Sequence, residues 1–507
     1  MNRWISYSLL ALSMLFFISG FAQEEKKKRI KILHADRLSF KKGVSNDAQR
    51  LIGNVKLEHE GAIMDCDSAY LFENNILEAY SNVKINQGDT LFLYGDTLYY
   101  DGNSGLARVR QNVLLIDPEM ELTTHFLDYE MNTGVAHYFN HGKIVSKEND
   151  NVLNSIKGFY MSESKMMHFR DSVSLKNPDY LMLSDTLQYH TVTEVAYFFG
   201  PTTIDGDSTF IYCENGWYDT KQDISQFGIN AYMVNKEFTL YGDSIYYDKN
   251  RGLGEAFCNV LIVDTVNNYN ISGDYALHLE KEEYSVVTER ALFTQFMEDD
   301  TLYLHADTLR AVKDTVTDKN IIYAYYGTRF YKNDLQGVCD SLIFSDPDSL
   351  IKMYSKPVLW NEENQISGDY IEILTYDDKV HKMDVYGSSF IISEVDTFGF
   401  NQIKGKDLHA YFKDGNIHKI HIIGNGQTIY FAKEEEDDPF GVNKGECSEL
   451  MVYVEENKMQ RINFMKDPKA ILYPLDDLGE KDLFLKDFIW YIKRRPVDRD
   501  DVFRRDY

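Results

Sequence analysis

Ten acidic residues fall at one recurring place in this sequence: Asp36, Asp67, Asp96, Asp185, Glu214, Asp243, Asp274, Asp307, Asp340 and Asp369 each stand two positions ahead of an apolar or small residue. Paired carboxylates could work as general acid and base, and clustered ones could bind calcium. Regular recurrence fits a structural role better, a carboxylate at a strand edge or bend that accepts hydrogen bonds from the backbone or from hydroxyls such as those of Thr97, Thr186 and Thr308. His381 and His418 occupy equivalent places in neighbouring copies of the pattern and are expected to stack, but no further ligands are arranged around them as a metal would need. Cys66, Cys213 and Cys339 sit immediately before the recurring acid, where other copies carry Gly95, Ser184, Gly242, Gly273, Ala306 and Gly368. That place wants a small side chain, and several repeats separate the three, too far for a bridge that needs Cα atoms within ~7 Å. With Cys258 and Cys447 they read as five free thiols. No nucleophile elbow, zincin helix, phosphate-binding glycine loop or local Cys/His signature is present. No catalytic residue, metal site or cofactor is assigned, and the chain is not expected to be an enzyme.

The element that positions these acids is clearest in Gly95–Asp101, a short alternating strand that closes in the turn Asp101-Gly102-Asn103. Side chains alternate along a strand, so Leu98 and Tyr100 share one face while Thr97 and Tyr99 share the other. Near-copies align as Leu38/Phe40, Ala69/Leu71, Leu98/Tyr100, Leu127/Tyr129, Gly158/Tyr160, Leu187/Tyr189, Gly216/Tyr218 and Ile245/Tyr247. They continue less cleanly through Ala276/His278, Leu309/Ala311, Leu342/Phe344, Ile371/Ile373, Leu408/Ala410 and Leu450/Val452. A spacing of roughly thirty residues repeated about fourteen times marks a stacked repeat architecture. In the clearest copy Leu91–Tyr100 and Leu106–Ile116 are the two strands, joined by a Gly/Asn turn, and Asp117-Pro118-Glu119 reverses the chain into the next copy. The second strand has its own signature, an alanine and then Asn-Val, as in Ala79 with Asn82-Val83 and Ala107 with Asn112-Val113.

Composition agrees with an all-β chain. Aromatic residues make up 14 %, led by 36 Tyr and 30 Phe against 9 Pro, and Tyr and Phe favour pleated, half-buried surfaces. The expected fold is an elongated antiparallel repeat. Residues 23–345 carry the clear repeats, residues 346–474 diverge around an acidic insert at 433–438, and residues 475–507 form a C-terminal cap or tail whose end, Asp498–Tyr507, is expected to fray. Met1–Ala22, with Arg3, the apolar run Ile5–Ile18 and the small-x-small site Gly20-Phe21-Ala22, reads as a secretory signal peptide. The run is short for a membrane span of ~20 residues, which disfavours retention as an anchor. The chain is therefore expected in an exported compartment, soluble or peripheral to a membrane. With 53 basic against 80 acidic residues and a net charge of −27, it lacks the basic footprint that nucleic-acid binding needs.

One face of each strand is apolar, so each repeat presents half a core and needs neighbours. In a closed stack that face is ordinary core. In an open, V-shaped stack it lines a continuous groove suited to acyl chains. The residues that would line it are Leu38, Phe40, Leu98, Tyr100, Val113, Leu115, Leu127, Tyr129, Leu187, Tyr189, Ile245, Tyr247, Val260, Ile262, Leu309, Leu342 and Phe344.

The order Asp-x-Leu-x-Tyr-Asp, Ala, Gly-Asn-Val, then a turn, resembles the OstA/LptA-type periplasmic proteins of lipopolysaccharide transport. The likeness is closest in Ala35–Phe40, Gly53-Asn54-Val55, Asp67–Leu71, Ala79–Val83, Gly95–Asp101 and Asn112-Val113. The resemblance implies a β-jellyroll trough, taco-like in section, that shields the acyl chains of lipid A in the periplasm and contributes to outer-membrane assembly. Implied partners are lipopolysaccharide itself and other bridge or outer-membrane translocon proteins, joined end to end by strand addition. This chain is much longer than the small bridge proteins and lacks the barrel of the translocon. The alternative is a non-enzymatic β-solenoid that scaffolds envelope proteins and holds no ligand.

Overall fold

In a computed structural model of the chain, the described residues are 29–41, 48–88, 90–148, 150–161, 163–236, 238–298, 300–317, 319–376, 379–395, 399–413, 416–433, 439–455 and 458–505. The signal-peptide reading of Met1–Ala22 and most of the acidic insert lie outside them. The described residues are strands almost throughout, and their pairings are antiparallel. Leu91–Asp101 lies between Ile76–Gln87 and Leu106–Ile116, so the repeat supplies two strands, as its turns predict.

What alternation alone does not show is that each strand bends at its middle. The register of Leu91–Asp101 shifts between Tyr94 and Thr97 against one neighbour, where the partner spends one residue more, from Arg110 to Leu114. On the shifting partner two successive residues adopt the left-handed conformation, as in Gln111-Asn112, Ser81-Asn82, Ile229-Asn230 and Cys258-Asn259. An extra residue left unpaired bends a strand and sharpens its twist. Asn tolerates positive φ better than other non-glycine residues, which accounts for the Asn of the Asn-Val signature. The bend sends the halves of every strand into two layers. One layer collects the halves typified by Thr97–Asp101, the tyrosine layer, and the other those typified by Leu91–Gly95 and Val113–Ile116, the valine layer.

Contacts divide the chain into two units, residues 1–178 with 188–192 and residues 179–187 with 193–507. In the first unit the inner face of the valine layer is one register line, Leu57, Met64, Ile85, Leu93, Leu115 and Leu122, and all six are buried. They face Leu51, Leu77, Leu98, Val109 and Leu127 of the tyrosine layer, also buried. Burial of each such side chain contributes about 1.5–3 kcal/mol. In the second unit the bends become complete breaks from Tyr284 to Lys413, after which Asn416–Ala432 and Gly441–Glu455 again run through the bend. Thr308–Lys313 then pairs only with Tyr284–Thr288 and Asn320–Tyr325, while Thr301–His305 pairs with Leu292–Phe296 and Arg329–Lys332. The stacking runs on to Lys469–Pro474.

The C-terminal segment is a strap. It runs back across the valine layer on the face opposite Leu359, Ile366, Ile391 and Ile403, meeting every second strand. The Gln402 side-chain amide donates to Leu483 O at 2.8 Å and accepts from Leu485 N at 2.8 Å. Gln365 does the same with Ile489 O and Tyr491 N, at 2.9 and 2.7 Å, and Gln336 accepts from Arg495 Nε at 2.8 Å. Leu475, Leu478, Leu483 and Leu485 pack on Ile429, Phe431 and Val442, and Tyr491 packs on Val338, Val358 and Trp360. With both faces covered, Ser389–Val395 loses its alternation and buries four residues in a row, as strands covered on both sides do. The expectation that the chain frays from Asp498 is corrected: Val502 is fully buried and the Arg505 guanidinium pairs with Asp307 at 2.9 Å.

Candidate functional site

The recurring acids stand at the bends. Five of the ten are met by an asparagine of the neighbouring strand: Nδ2 of Asn54, Asn82, Asn112 and Asn259 donates to Asp36, Asp67, Asp96 and Asp243 at 3.0, 2.8, 2.7 and 2.9 Å, and Asn230 donates to Glu214 at 2.8 Å. The expected hydroxyl donors act at other copies: Thr186 Oγ1 donates to Asp185 at 3.5 Å, and Ser341 Oγ, at the same place, donates to Asp340 at 2.9 Å. These carboxylates hold corners, and among the described residues no group of three or more His, Cys, Asp or Glu is placed to hold a metal ion. The small place before the acid has a steric cause, since a Cβ on Gly95 would lie 2.3 Å from Val109 and one on Gly368 would lie 2.4 Å from Val385. All five cysteines are free; Cys66, Cys213, Cys339 and Cys447 are buried, whereas Cys258 is exposed at a bend.

His381 and His418 do not meet. Strand Asp407–Lys413 lies between theirs, and His381 packs edge-on against Tyr376. The histidines that approach are His409 and His421, with ring centroids 6.4 Å apart on adjacent strands. His409 Nδ1 lies 2.6 Å from Asp384, and burial lowers the pKa of His421. Sequence position gave no sign of this pair, because it sits on the outward face and breaks the repeat alignment.

The apolar inner face is the feature with capacity for a ligand, and it differs between the units. In the first unit the mouth opposite the bends is tied shut. Tyr100 Oη lies 2.6 Å from His59 Nδ1, joining the tyrosine layer to the valine layer, and Tyr129 Oη donates across the same gap to Gln87 at 2.7 Å. Deeper in, Tyr138 Oη lies 2.5 Å from Ser155 Oγ and its ring fills the space left by Gly142 and Gly158. Burial pushes the Tyr138 hydroxyl up to about 12. Leu98, Tyr100, Val113, Leu127 and Tyr129 are thus packed interior, while Leu115, itself buried, lines a small cavity with Met120, Leu122, Tyr138 and Phe169. Leu38 and Phe40 are not brought to this interior. They are 55 % and 52 % exposed, because Arg37–Lys41 pairs, among the described residues, only with Ala48–His59 and forms an edge.

In the second unit the equivalent register line of the valine layer, Ile204, Ile211, Met233, Leu240, Ile262, Ile271, Phe293 and Leu304, is only half-buried along its length. Tyr218 and Tyr247, at the place of Tyr100, turn their hydroxyls to Asp223 at 2.7 Å and Glu280 at 3.5 Å within their own layer. Beside them the tyrosine layer carries the small or polar Ser225, Gly254, His278 and Ser285. Leu187, Ile245, Val260, Leu309 and Leu342 are buried at its floor, and Tyr247, Ile262 and Phe344 are half-buried, as is Tyr189, which belongs to the first unit. Bulk that closes the first unit is missing at these places.

The model of the family described as OstA-like protein matches residues 27–185, 181–243 and 199–298, more than half of the chain. The chain belongs to the OstA-like protein family. Among curated proteins none matches its sequence. Among solved structures this OstA-like chain is similar to LptH from Pseudomonas aeruginosa, described as the LptA homologous periplasmic component of the conserved lipopolysaccharide transport device. The identity is 17 %, the match covers 22 % of this chain and 84 % of that one, and the TM-score is 0.21. Among the described residues no helix is long and apolar enough to cross a membrane.

Proposed function

We propose that this OstA-like chain is a non-enzymatic periplasmic carrier or bridge component that shields the acyl chains of lipopolysaccharide on the way to the outer membrane, and that the second unit holds them. The observation that carries this reading is the half-buried apolar line from Ile204 to Leu304. Apolar area left partly uncovered costs about 25 cal/mol per Å², and an acyl chain laid along the line recovers it. The packed first unit, tied by Tyr100 and Tyr129, then acts as a framework. Its edge strand Arg37–Lys41, with Leu38 and Phe40 exposed, supports a strand-addition partner there, as does Lys469–Pro474 of the second unit with exposed Ile471 and Leu472.

The test is photocrosslinking in cells from a benzophenone amino acid placed at Tyr189, Tyr247, Ile262 and, as the packed control, Tyr100. Lipopolysaccharide adducts at Ile262 and Tyr247 with none at Tyr100 are expected. Protein adducts alone at Ile262 and Tyr247 would replace the carrier with the scaffold.

A further inference from the structure

The strap marks a track that continues past its own end. One register line on the strap-bearing face of the valine layer runs from Val338 through Arg329, His305 and Leu292 to Ser272, and on to Leu261, Tyr241, Tyr232 and Tyr212. Under the strap, His305 takes the Phe503 ring at 4.6 Å and Arg329 donates to Arg494 O at 2.6 Å. Beyond it the line turns aromatic. Tyr212 and Tyr232 stack at 5.2 Å, Tyr232 and Tyr241 lie at 5.8 Å, and Phe210 closes on Tyr232 at 6.1 Å. Tyr241 is 41 % exposed. The matching line of the first unit carries Lys56, Asp65, Lys84, Thr123 and Lys143 around Tyr94 and Leu114, so an aromatic stripe here is not a property of the repeat. Tyr212, Tyr232 and Leu261 are half-buried around the exposed Tyr241, and a contiguous, partly uncovered aromatic surface of this kind marks an interaction site.

The chemistry of the occupant can be read from the strap. Phe503 seats its ring on His305, and two residues on, Arg505 pairs with the bend acid Asp307 at 2.9 Å. The same two-residue relation, ring then bend acid, recurs four and six strands away as Tyr241 with Asp243 and Tyr212 with Glu214. There the carboxylates accept from the neutral amides of Asn259 and Asn230, whereas the bend facing Asp307 carries Tyr326-Gly327 and offers no asparagine. We infer that the stripe Tyr212–Tyr232–Tyr241–Leu261 docks an extended segment of a partner protein that is aromatic and basic, laid across the strands as a continuation of the strap. Rings stack on the tyrosines, and a Lys or Arg two residues later reaches Asp243 or Glu214.

The probe is a fluorescein-labelled peptide of residues 483–505, which has this chemistry, titrated into the full chain and followed by polarisation. Saturable binding is expected, weakened about tenfold or more by Tyr241→Asp and by Asp243→Lys, retained by Tyr241→Phe, and unmoved by Lys84→Asp. Each variant is first shown to keep the wild-type Tm and circular dichroism. Three results overturn the inference. One is binding indifferent to Tyr241→Asp. A second is binding that responds instead to Gln365→Ala, which means exchange with the resident strap. The third is a Tyr241-dependent dimer in light scattering, or Tyr241-dependent binding to phosphatidylcholine–phosphatidylglycerol vesicles, with no peptide binding.

Discussion

Asn112 and Asp96 face each other across the bend between adjacent strands, with Nδ2 donating to Oδ2 at 2.7 Å while Asn112 holds φ at 48°. The two halves of this arrangement are separable. Asn112→Ala loses the bond and keeps the unfavourable left-handed backbone; Asn112→Gly loses the bond and relieves the backbone. Urea denaturation should show the alanine variant less stable by about 1–2 kcal/mol and the glycine variant by less than half of that. Equal losses would mean that the hydrogen bond, not the bend, sets the cost.

The tie between His59 and Tyr100 should behave as a coupled pair, because both side chains are buried and join different layers. Tyr100→Phe removes the hydrogen bond that joins the layers, at about 1 kcal/mol. A double-mutant cycle with His59→Leu should return a coupling of about 1 kcal/mol or more. Additive losses would mean that the layers are held by apolar packing alone.

Most of the architecture is legible in the sequence because the repeat records it twice, in the turns and in the alternation. Strand partners, turn positions and the buried state of Leu98, Val113 and Leu127 follow from period-two patterning. The bends are half-visible: Asn-Val recurs, and alternation changes phase between Gly95 and Leu98 on Leu91–Asp101, but it keeps its phase through the two-residue bulge of Leu106–Ile116. The closure of one unit and the looser filling of the other were not visible, since Tyr100 and Tyr247 are the same residue in the same repeat place and differ only in whether His59 or Glu280 is within reach. The C-terminal segment is legible as a cap or tail but not as a strap, because Gln336, Gln365 and Gln402 look like solvent-facing strand residues until their amides are seen bonding its backbone or the Arg495 side chain.

Two glycines that interrupt the repeat make this concrete. Gly158 and Gly216 stand where other copies carry Leu, and a Cβ on Gly216 would lie 2.4 Å from both the Phe198 ring and Gln226 O, the latter immovable backbone. Phe198 is fully buried and fills the missing volume. Restoring the consensus with Gly216→Leu should therefore destabilise, by about 3 kcal/mol or more in thermal denaturation, although repeat averaging recommends it. Pairing it with Phe198→Ala should recover part of the loss.

The thiols should divide by position. Burial pushes Cys66 up to about 11 and Cys213 and Cys339 up to about 12, so maleimide at neutral pH should label Cys258 fast and the other four only on unfolding. The same shifts fix a pH dependence. A folded-state pKa above the ordinary 9.0 favours the native state fully below pH 9, and that contribution is lost as pH rises from about 9 to about 12. Cys213→Ala should flatten part of the alkaline decline in Tm; an unchanged decline would assign it to the tyrosines.

The Gln365 clamp makes the strap's attachment measurable. Its amide gives one bond to Ile489 O and takes one from Tyr491 N, on a side chain that is fully buried, so Gln365→Ala strands a backbone donor and a backbone acceptor together. Gln365→Glu keeps the shape and the acceptor but turns a carboxylate oxygen toward Ile489 O, which costs more because the repelling pair is buried. Trypsin should cut after Lys493 and Arg494 slowly in the wild type, faster in Gln365→Ala and fastest in Gln365→Glu, while cleavage within the first unit stays constant. The same order should appear in the emission of Trp490, which packs 5.2 Å from Phe400 and moves toward water as the strap lifts. If the glutamate variant cleaves no faster than the alanine variant, shape at that position matters more than the paired hydrogen bonds, and apolar packing of Tyr491 on Trp360 is the principal hold.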